Sequence, residues 1–312
     1  MTPVLRAGGH GRPTWGAEAL WELLEPRLPG LTIEIVERID STNSELTERL
    51  RRAARGASAA EARGGRGGQD TRGGRGSRAD DLAPQLLVAT HQTAGRGRLG
   101  RSWHATPGAS LTFSLALPLA REDWSGLSLA VGLAVAEAID PAGHQVGLKW
   151  PNDILRRTPA AADGSPGPLG GKLGGILIES VAVGGRRVAV IGIGLNVLTQ
   201  RVPVQDAKPA ALTELEPELT AQALLSRLMP GLVTALERFE AEGFAPRVAD
   251  YAARDVLRGL ALRTTDPALP GGIGDGVEPD GALRLRESAA AGAPVHRVIS
   301  GEISIRQQAA GA

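Results

Sequence analysis

The chain has 312 residues, enough for one large domain with a small one, or for two of medium size. Hydrophobic residues, at 42%, can fill a core and exclude a wholly disordered protein. Lys and Arg number 35 against 34 Asp and Glu, so net charge gives no reason to expect nucleic acid or a membrane as partner. Cys is absent, which removes disulfides, thiolate metal sites and cysteine nucleophiles together. No apolar run reaches the ~18–20 residues that span a bilayer, and MTPVLRAGGHGRPTW lacks the apolar segment of a secretory signal. A cytoplasmic location is therefore expected.

In chain order, residues 17–25 place Leu20, Trp21, Leu23 and Leu24 at helical spacing. Residues 31–39 partly alternate and predict a strand. Thr42 with Glu45 three residues later has the spacing of a capping box, which predicts a helix from near Asn43. Residues 63–78 hold seven Gly and five Arg with no apolar side chain, so a disordered insert is expected over 54–84. QLLVATH at 85–91 and ASLTFSLAL at 109–117 predict strands. Residues 127–139 are apolar nearly all round, which suits a helix buried on most sides. A short strand is expected at 146–150 and a Pro/Gly-rich loop at 156–171. ILIESVAV and RRVAVIGIGL flank Gly184-Gly185 and predict a hairpin. Residues 220–242 read as helix, split or kinked at Pro230. Beyond Arg258, short strands separated by Gly, Pro and Asp predict a small β-barrel.

Four stretches could carry chemistry. Gly95-Arg96-Gly97-Arg98-Leu99-Gly100-Arg101 follows a strand. Its glycines allow close backbone approach, and its arginines can clamp carboxylate or phosphate. It lacks the Gly-Lys-Ser/Thr ending of a P-loop, and on its own an exposed basic turn explains it as well. Gln92 just upstream and Trp103 just downstream add a polar amide and an aromatic wall, which suits a ligand with an apolar body and an acidic end. Lys149-Trp150-Pro151-Asn152-Asp153 ends a strand and is also ordinary turn chemistry. Lys172, among glycines at the start of an apolar strand, could supply a point charge to a phosphate or simply reach solvent. Ser41-Thr42-Asn43 could cap a helix or hydrogen-bond a ligand at its N-terminus. Gly192-Ile193-Gly194 lacks the third Gly and the helix of a dinucleotide fingerprint. The five histidines form no ligand pair, so no zinc is expected.

Taken in order, DSTN at 40–43, HQTAGRGRLGRSW at 91–103, KWPNDIL at 149–155, KLGGILIE at 172–179, GIGLN at 192–196 and GEISIR at 301–306 resemble a biotin–protein ligase from residue 31 to 306, inserts apart. The resemblance implies an α+β fold. Its mixed-sheet catalytic domain, similar to class II aminoacyl-tRNA synthetases, would cover 31–255 after an extension at 1–30, and an SH3-like β-barrel would cover 256–312. It also implies a two-step reaction: biotin and MgATP give biotinyl-5′-AMP and pyrophosphate, and a lysine of a carboxylase biotin carrier domain then attacks the adenylate. Carried onto matching positions, Ser41, Thr42, Asn43 and Gln92 would hold biotin, and Gly95, Arg96, Gly97 and Arg98 would close over the adenylate. Trp103 would wall the pocket, Lys172 would sit at the carboxylate–phosphate junction, and Asn152, Asn196 and Arg306 would contact ATP.

Physical chemistry supports cations at such a site. Two unit charges ~4 Å apart repel by about 4 kcal/mol at an effective dielectric of ~20, and Arg96, Arg98, Lys172 and Mg2+ are the candidates to offset this. Asp153 is the candidate to orient and deprotonate the incoming lysine. Only 40 residues precede Ser41, so a helix-turn-helix domain and DNA binding are not expected. The resemblance leaves open a homodimer. Lipoate ligation by the same superfamily is the nearest alternative, and a non-catalytic nucleic-acid-binding protein using the Arg/Gly segment is the remoter one.

Overall fold

Alternation along one segment organises the first half of the fold. In RRVAVIGIGLN, residues 188, 190, 192 and 194 point to one side and 189, 191, 193 and 195 to the other. The second set is Ala, Ile, Ile, Leu and is fully buried; the first runs Val, Val, Gly, Gly. A strand apolar on both sides belongs inside a sheet covered on both faces.

The computed structural model describes residues 15–64, 82–104, 106–158, 169–200, 208–265, 267, 269, 271–299 and 303–305. The chain divides into two units, Met1–Glu122 with Gly174–Val233, and Asp123–Leu173 with Thr234–Ala312.

In the first unit, α1 (Ala17–Leu24) precedes β1 (Thr32–Ile39), α2 (Thr42–Gly64) and β2 (Gln85–Gln92). A two-stranded hairpin, β3 (Gly95–Arg96) and β4 (Ser102–Trp103), leads to β5 (Ser110–Pro118). Strands β8 (Lys172–Val183) and β9 (Arg186–Asn196) form a second hairpin. Its turn residues Gly184 and Gly185 have φ of +55° and +77°, the two positive angles that this tight turn requires. The sheet order is β1-β2-β5-β9-β8, parallel between β1 and β2 and antiparallel elsewhere. Leu46 and Leu50 of α2 pack on Leu87, Ala116, Val181, Val183, Val188 and Val190, all buried.

Helix α2 runs on to Gly64, so the first part of the insert expected from 54 is helical; the Ala-rich AARGASAAEA favours continuation. Residues 65–81 lie outside the described residues. The cap also differs from expectation. Ser41, not Thr42, accepts from the backbone N–H of Ser44 through its Oγ (3.3 Å), because the Thr42 side chain is engaged elsewhere.

In the second unit, α3 (Leu127–Ile139) matches the expected limits, and β6 (Val146–Lys149) pairs with β7 (Asp153–Arg156). Lys149 stands opposite Asp153, so Trp150, Pro151 and Asn152 are the turn, across a cis Trp150–Pro151 bond, and Asp153 opens a strand. The 156–171 loop is closed at its base: Arg156 N–H donates to Gly171 O at 2.9 Å, and a Cβ on Gly170 would lie 2.1 Å from Arg156 O. Residues 159–168 lie outside the described residues. Helix α4 (Ala221–Glu242) begins in the first unit, ends in the second and continues unbroken through Pro230.

Helix α5 (Val248–Arg254) places Arg254 beside Asp140, whose carboxylate also accepts backbone N–H bonds from Gly143, Gln145 and Val146. Burial would raise the Asp140 pKa, but these donors together with Arg254 hold it below the ordinary range. The next acid, Asp255, is buried with far less support, and burial pushes its carboxyl up to about 6. The expected small β-unit is a five-stranded antiparallel sheet, ordered β13-β12-β11-β10-β14. Its strands are β10 (Ala261–Thr264), β11 (Gly271–Val277), β12 (Leu283–Arg286), β13 (Val295–Val298) and β14 (Ile303–Ile305). Among the described residues no helix is long and apolar enough to cross a membrane.

Candidate active site

The sheet face that carries α2 changes character along its strands. Beyond the valines and Ala116, the cross-strand rows become Ser114–Gly192–Leu177 and then Ala89–Thr112–Gly194–Gly175. On the two central strands hydroxyls and glycines replace alanine and valine, so the floor drops there. Two side chains settle into that space. A Cβ on Gly192 would lie 2.2 Å from Asn43 Oδ1, and one on Gly194 would lie 2.6 Å from the Trp103 ring. Neither position tolerates any larger residue without moving its neighbour.

Around Asn43 a buried hydrogen-bond network fixes the helix start. Thr42 N–H and Oγ1 both donate to Gln92 Oε1, at 2.7 and 3.1 Å. Ser114 Oγ lies 2.7 Å from Thr42 Oγ1 and 2.5 Å from Asn43 Oδ1. Asn43 Nδ2 donates to Leu177 O at 3.2 Å and to Glu179 Oε2 at 3.0 Å. Ser41, Thr42 and Asn43 are each only 3% exposed. This fixes the amide orientations: Gln92 spends its oxygen inward, which leaves its Nε2 donors for a ligand.

The hairpin stands beside this network. Gly95 pairs with Trp103 and Arg96 with Ser102, and the tip is closed by Gly97 N–H donating to Arg101 O at 2.8 Å. Leu99 at the tip has φ +54° and is 73% exposed, an arrangement that β-branched residues would strain further. Arg96 does not project freely: its guanidinium pairs with Glu179 at 3.0 Å and reaches Ser44 Oγ at 3.3 Å. Arg98 opens the turn at the tip and is half-buried.

Asn196, at the end of β9, belongs to another buried cluster: Gln200 Nε2 donates to its Oδ1 (3.2 Å) and to Ser110 Oγ (2.6 Å). In the second unit Lys172 and Asp153 form an ion pair at 2.6 Å, so each holds the other's position. Trp150 Nε1 donates to Gly281 O at 2.9 Å, which fixes the turn that presents Asn152. Arg306 lies outside the described residues. Three further residues enter the network, Ser114, Glu179 and Leu177 through its carbonyl. Leu177 and Glu179 lie in the KLGGILIE stretch, whereas Ser114 falls in none of the motif stretches.

Residues 77–196 match the Biotin/lipoate A/B protein ligase family. The biotin–[acetyl-CoA-carboxylase] ligase of Mycobacterium tuberculosis is 36% identical over 202 residues, 62% of this chain and 67% of that one. That of Paracoccus denitrificans is 31% identical over 227 residues, 67% of this chain and 88% of its own length. The bifunctional ligase/repressor of Escherichia coli is 33% identical over 227 residues, and the match spans 65% of that protein. Among solved structures, the biotin protein ligase of Aquifex aeolicus in complex with biotin and ATP shares the fold: its TM-score is 0.63 at 22% identity, over 88% of this chain and 99% of that one. The chain belongs to the biotin–protein ligase family.

Proposed function

We propose that this protein joins biotin to ATP, forming biotinyl-5′-AMP and pyrophosphate, and passes the biotinyl group to a lysine of a carboxylase biotin carrier domain. The observation that carries this reading is the floor of Ser114, Gly192 and Gly194 beneath the Thr42–Gln92–Asn43 network. The glycines seat Asn43 and the Trp103 ring, which gives an apolar wall, and Gln92 keeps its Nε2 donors, a combination that suits a ureido ring on an aliphatic body. Relatives named for the same ligation support it, as does a fold shared with a ligase solved with biotin and ATP. On this reading the five-stranded unit is the SH3-like barrel and the main sheet is akin to that of class II aminoacyl-tRNA synthetases.

In the first step the biotin carboxylate oxygen attacks the α-phosphorus and the bond to pyrophosphate breaks. The attacking and attacked groups are both anionic, so fixed cations lower the barrier. Lys172, paired with Asp153 at 2.6 Å, and Arg98, at the hairpin tip, are the residues proposed for that task. Magnesium carried on the nucleotide phosphates would add charge neutralisation there. In the second step the carrier lysine attacks the acyl carbon and AMP leaves. With a reference pKa of ~10.4, fewer than about one such lysine in a thousand is neutral at pH 7. Asp153 attracts the ammonium and takes its proton. The mixed anhydride hydrolyses in water, and the β3–β4 hairpin is the cover that slows this loss.

Biotin-dependent exchange between ATP and pyrophosphate tests the reading. The wild-type protein should catalyse exchange with biotin and not with lipoate; exchange with lipoate alone would move the assignment to the other branch of the family. In Asp153→Ala the second step should slow by about 100-fold, while exchange falls by about tenfold or less through the loosened Lys172. Equal losses in both steps would confine Asp153 to positioning Lys172.

A further inference from the structure

Glu179 has no place in the reaction as set out above, yet it joins three remote pieces of the first unit. It stands on the glycine-bearing face of β8, opposite Val190, with its side chain 22% exposed. Its Oε2 accepts from Asn43 Nδ2 at 3.0 Å, at the start of α2. Its Oε1 pairs with Arg96 Nη2 at 3.0 Å, in the β3–β4 hairpin. Asn43 has one face against Gly192, and Arg96 continues to Ser44 Oγ at 3.3 Å. A single carboxylate therefore sets the Asn43 amide and ties the hairpin to the sheet.

The chemistry at this position is specific. Only an anion satisfies the guanidinium and the amide donor at once; Gln would offer one acceptor and turn an N–H towards the other partner. Because Arg96 is about half-exposed, the pair adds little to overall stability. Its weight lies in where it holds the hairpin. It also means that the Arg96 charge is already matched in the ligand-free protein.

We propose that Glu179 is a positioning residue that acts through Arg96 to hold the hairpin down over the bound adenylate, and through Asn43 to orient the helix start. The proposal rests on the reading that the hairpin covers biotinyl-5′-AMP. By this assignment Arg96 tethers the cover.

The test is the release of the adenylate. Biotinyl-5′-AMP is formed on the enzyme from biotin and MgATP, the complex is separated from free ligand, and first-order release is followed. Glu179→Gln should release it about tenfold faster than wild type, with the KM for biotin changed by about threefold or less, since Gln still accepts from Asn43. A purely structural role would instead lower the melting temperature and raise the KM for biotin, with release unchanged. Glu179→Asp keeps the charge and is the second variant: release within about threefold of wild type supports the tether, and release about tenfold faster overturns it. Release from Glu179→Gln equal to wild type also overturns it. If wild type makes no adenylate, the ligase reading fails and takes this proposal with it; if both proteins make adenylate and release it equally, only Glu179's role fails.

Discussion

One face of one sheet does two jobs, and the boundary falls between Val190 and Gly192. On one side Leu46 and Leu50 of α2 press on Val181, Val183, Val188 and Val190, a dry contact among fully buried side chains. On the other side, two residues along the same strand, the cover is Asn43 and Trp103 and the floor is glycine and hydroxyl. Helix α2 contributes to both covers, Asn43 from its first turn to the polar end and Leu46 and Leu50 from its second and third turns to the apolar one, while Trp103 comes from β4. A rigid, well-packed end thus holds the polar end in place, where packing alone specifies little. Stability and binding should then respond separately to substitutions on the two sides.

The largest effect is expected on the dry side. Leu46 is fully buried, and Leu46→Ala removes its contacts with the valine cluster and leaves a cavity. Unfolding free energy should fall by about 2–5 kcal/mol, read from denaturant titration. Because the floor residues are untouched, the KM for biotin at a temperature well below the transition should stay within about twofold of wild type. A KM that rises in step with the lost stability would show that the two ends are not separable.

On the other side, Gly192→Ala adds one methyl group 2.2 Å from Asn43 Oδ1. Asn43 must lift, and its bonds to Ser114, Leu177 O and Glu179 stretch together. Overpacking of this kind costs about 1–3 kcal/mol, so biotin affinity measured by calorimetry should drop by about 10–100-fold. The melting temperature should fall by no more than about 5 °C. The converse exchange, a large loss of stability with affinity intact, would mean that the glycines serve packing alone.

Much of the apolar side was legible in the sequence and less of the polar side. Residues 127–139 gave a helix with its true limits because a 13-residue run apolar all round is longer than an ordinary buried strand and suits a buried helix. Gly184-Gly185 between two alternating runs gave the β8–β9 hairpin. Thr42 was misread as the cap because local spacing cannot show that its hydroxyl is claimed by Gln92, fifty positions on. The Lys149–Asp153 turn opens a strand because β6 and β7 pair across it, a fact that Pro-Asn-Asp does not encode by itself. For the site, motif order brought out Ser41, Thr42, Asn43, Gln92 and Trp103, and the structure brings all five to one stretch of the first unit. Ser114 sits in ASLTFSLAL, where a hydroxyl in an apolar strand gives no sign of its partners. The Arg96–Glu179 pair joins positions 83 apart, and no local pattern predicts such a contact.

The smallest effect sharpens the comparison most, because it changes a single proton. Ser114 Oγ lies within bonding distance of both Thr42 Oγ1 and Asn43 Oδ1, yet a hydroxyl has one hydrogen to give. Thr42 spends its own proton on Gln92 Oε1. Ser114 therefore decides how firmly Thr42 and Asn43, the residues proposed to hold biotin, are set, with no apolar contact at stake. Ser114→Ala keeps the floor shallow and removes that proton, leaving a buried amide oxygen short of a donor. A loss of about 1 kcal/mol, or about fivefold in biotin affinity, is expected, with the Leu46 cluster and its contribution to stability unchanged. Measured in the Leu46→Ala background, the affinity loss should be the same to within about 0.5 kcal/mol; a larger coupling would put the boundary between the two ends elsewhere than after Val190.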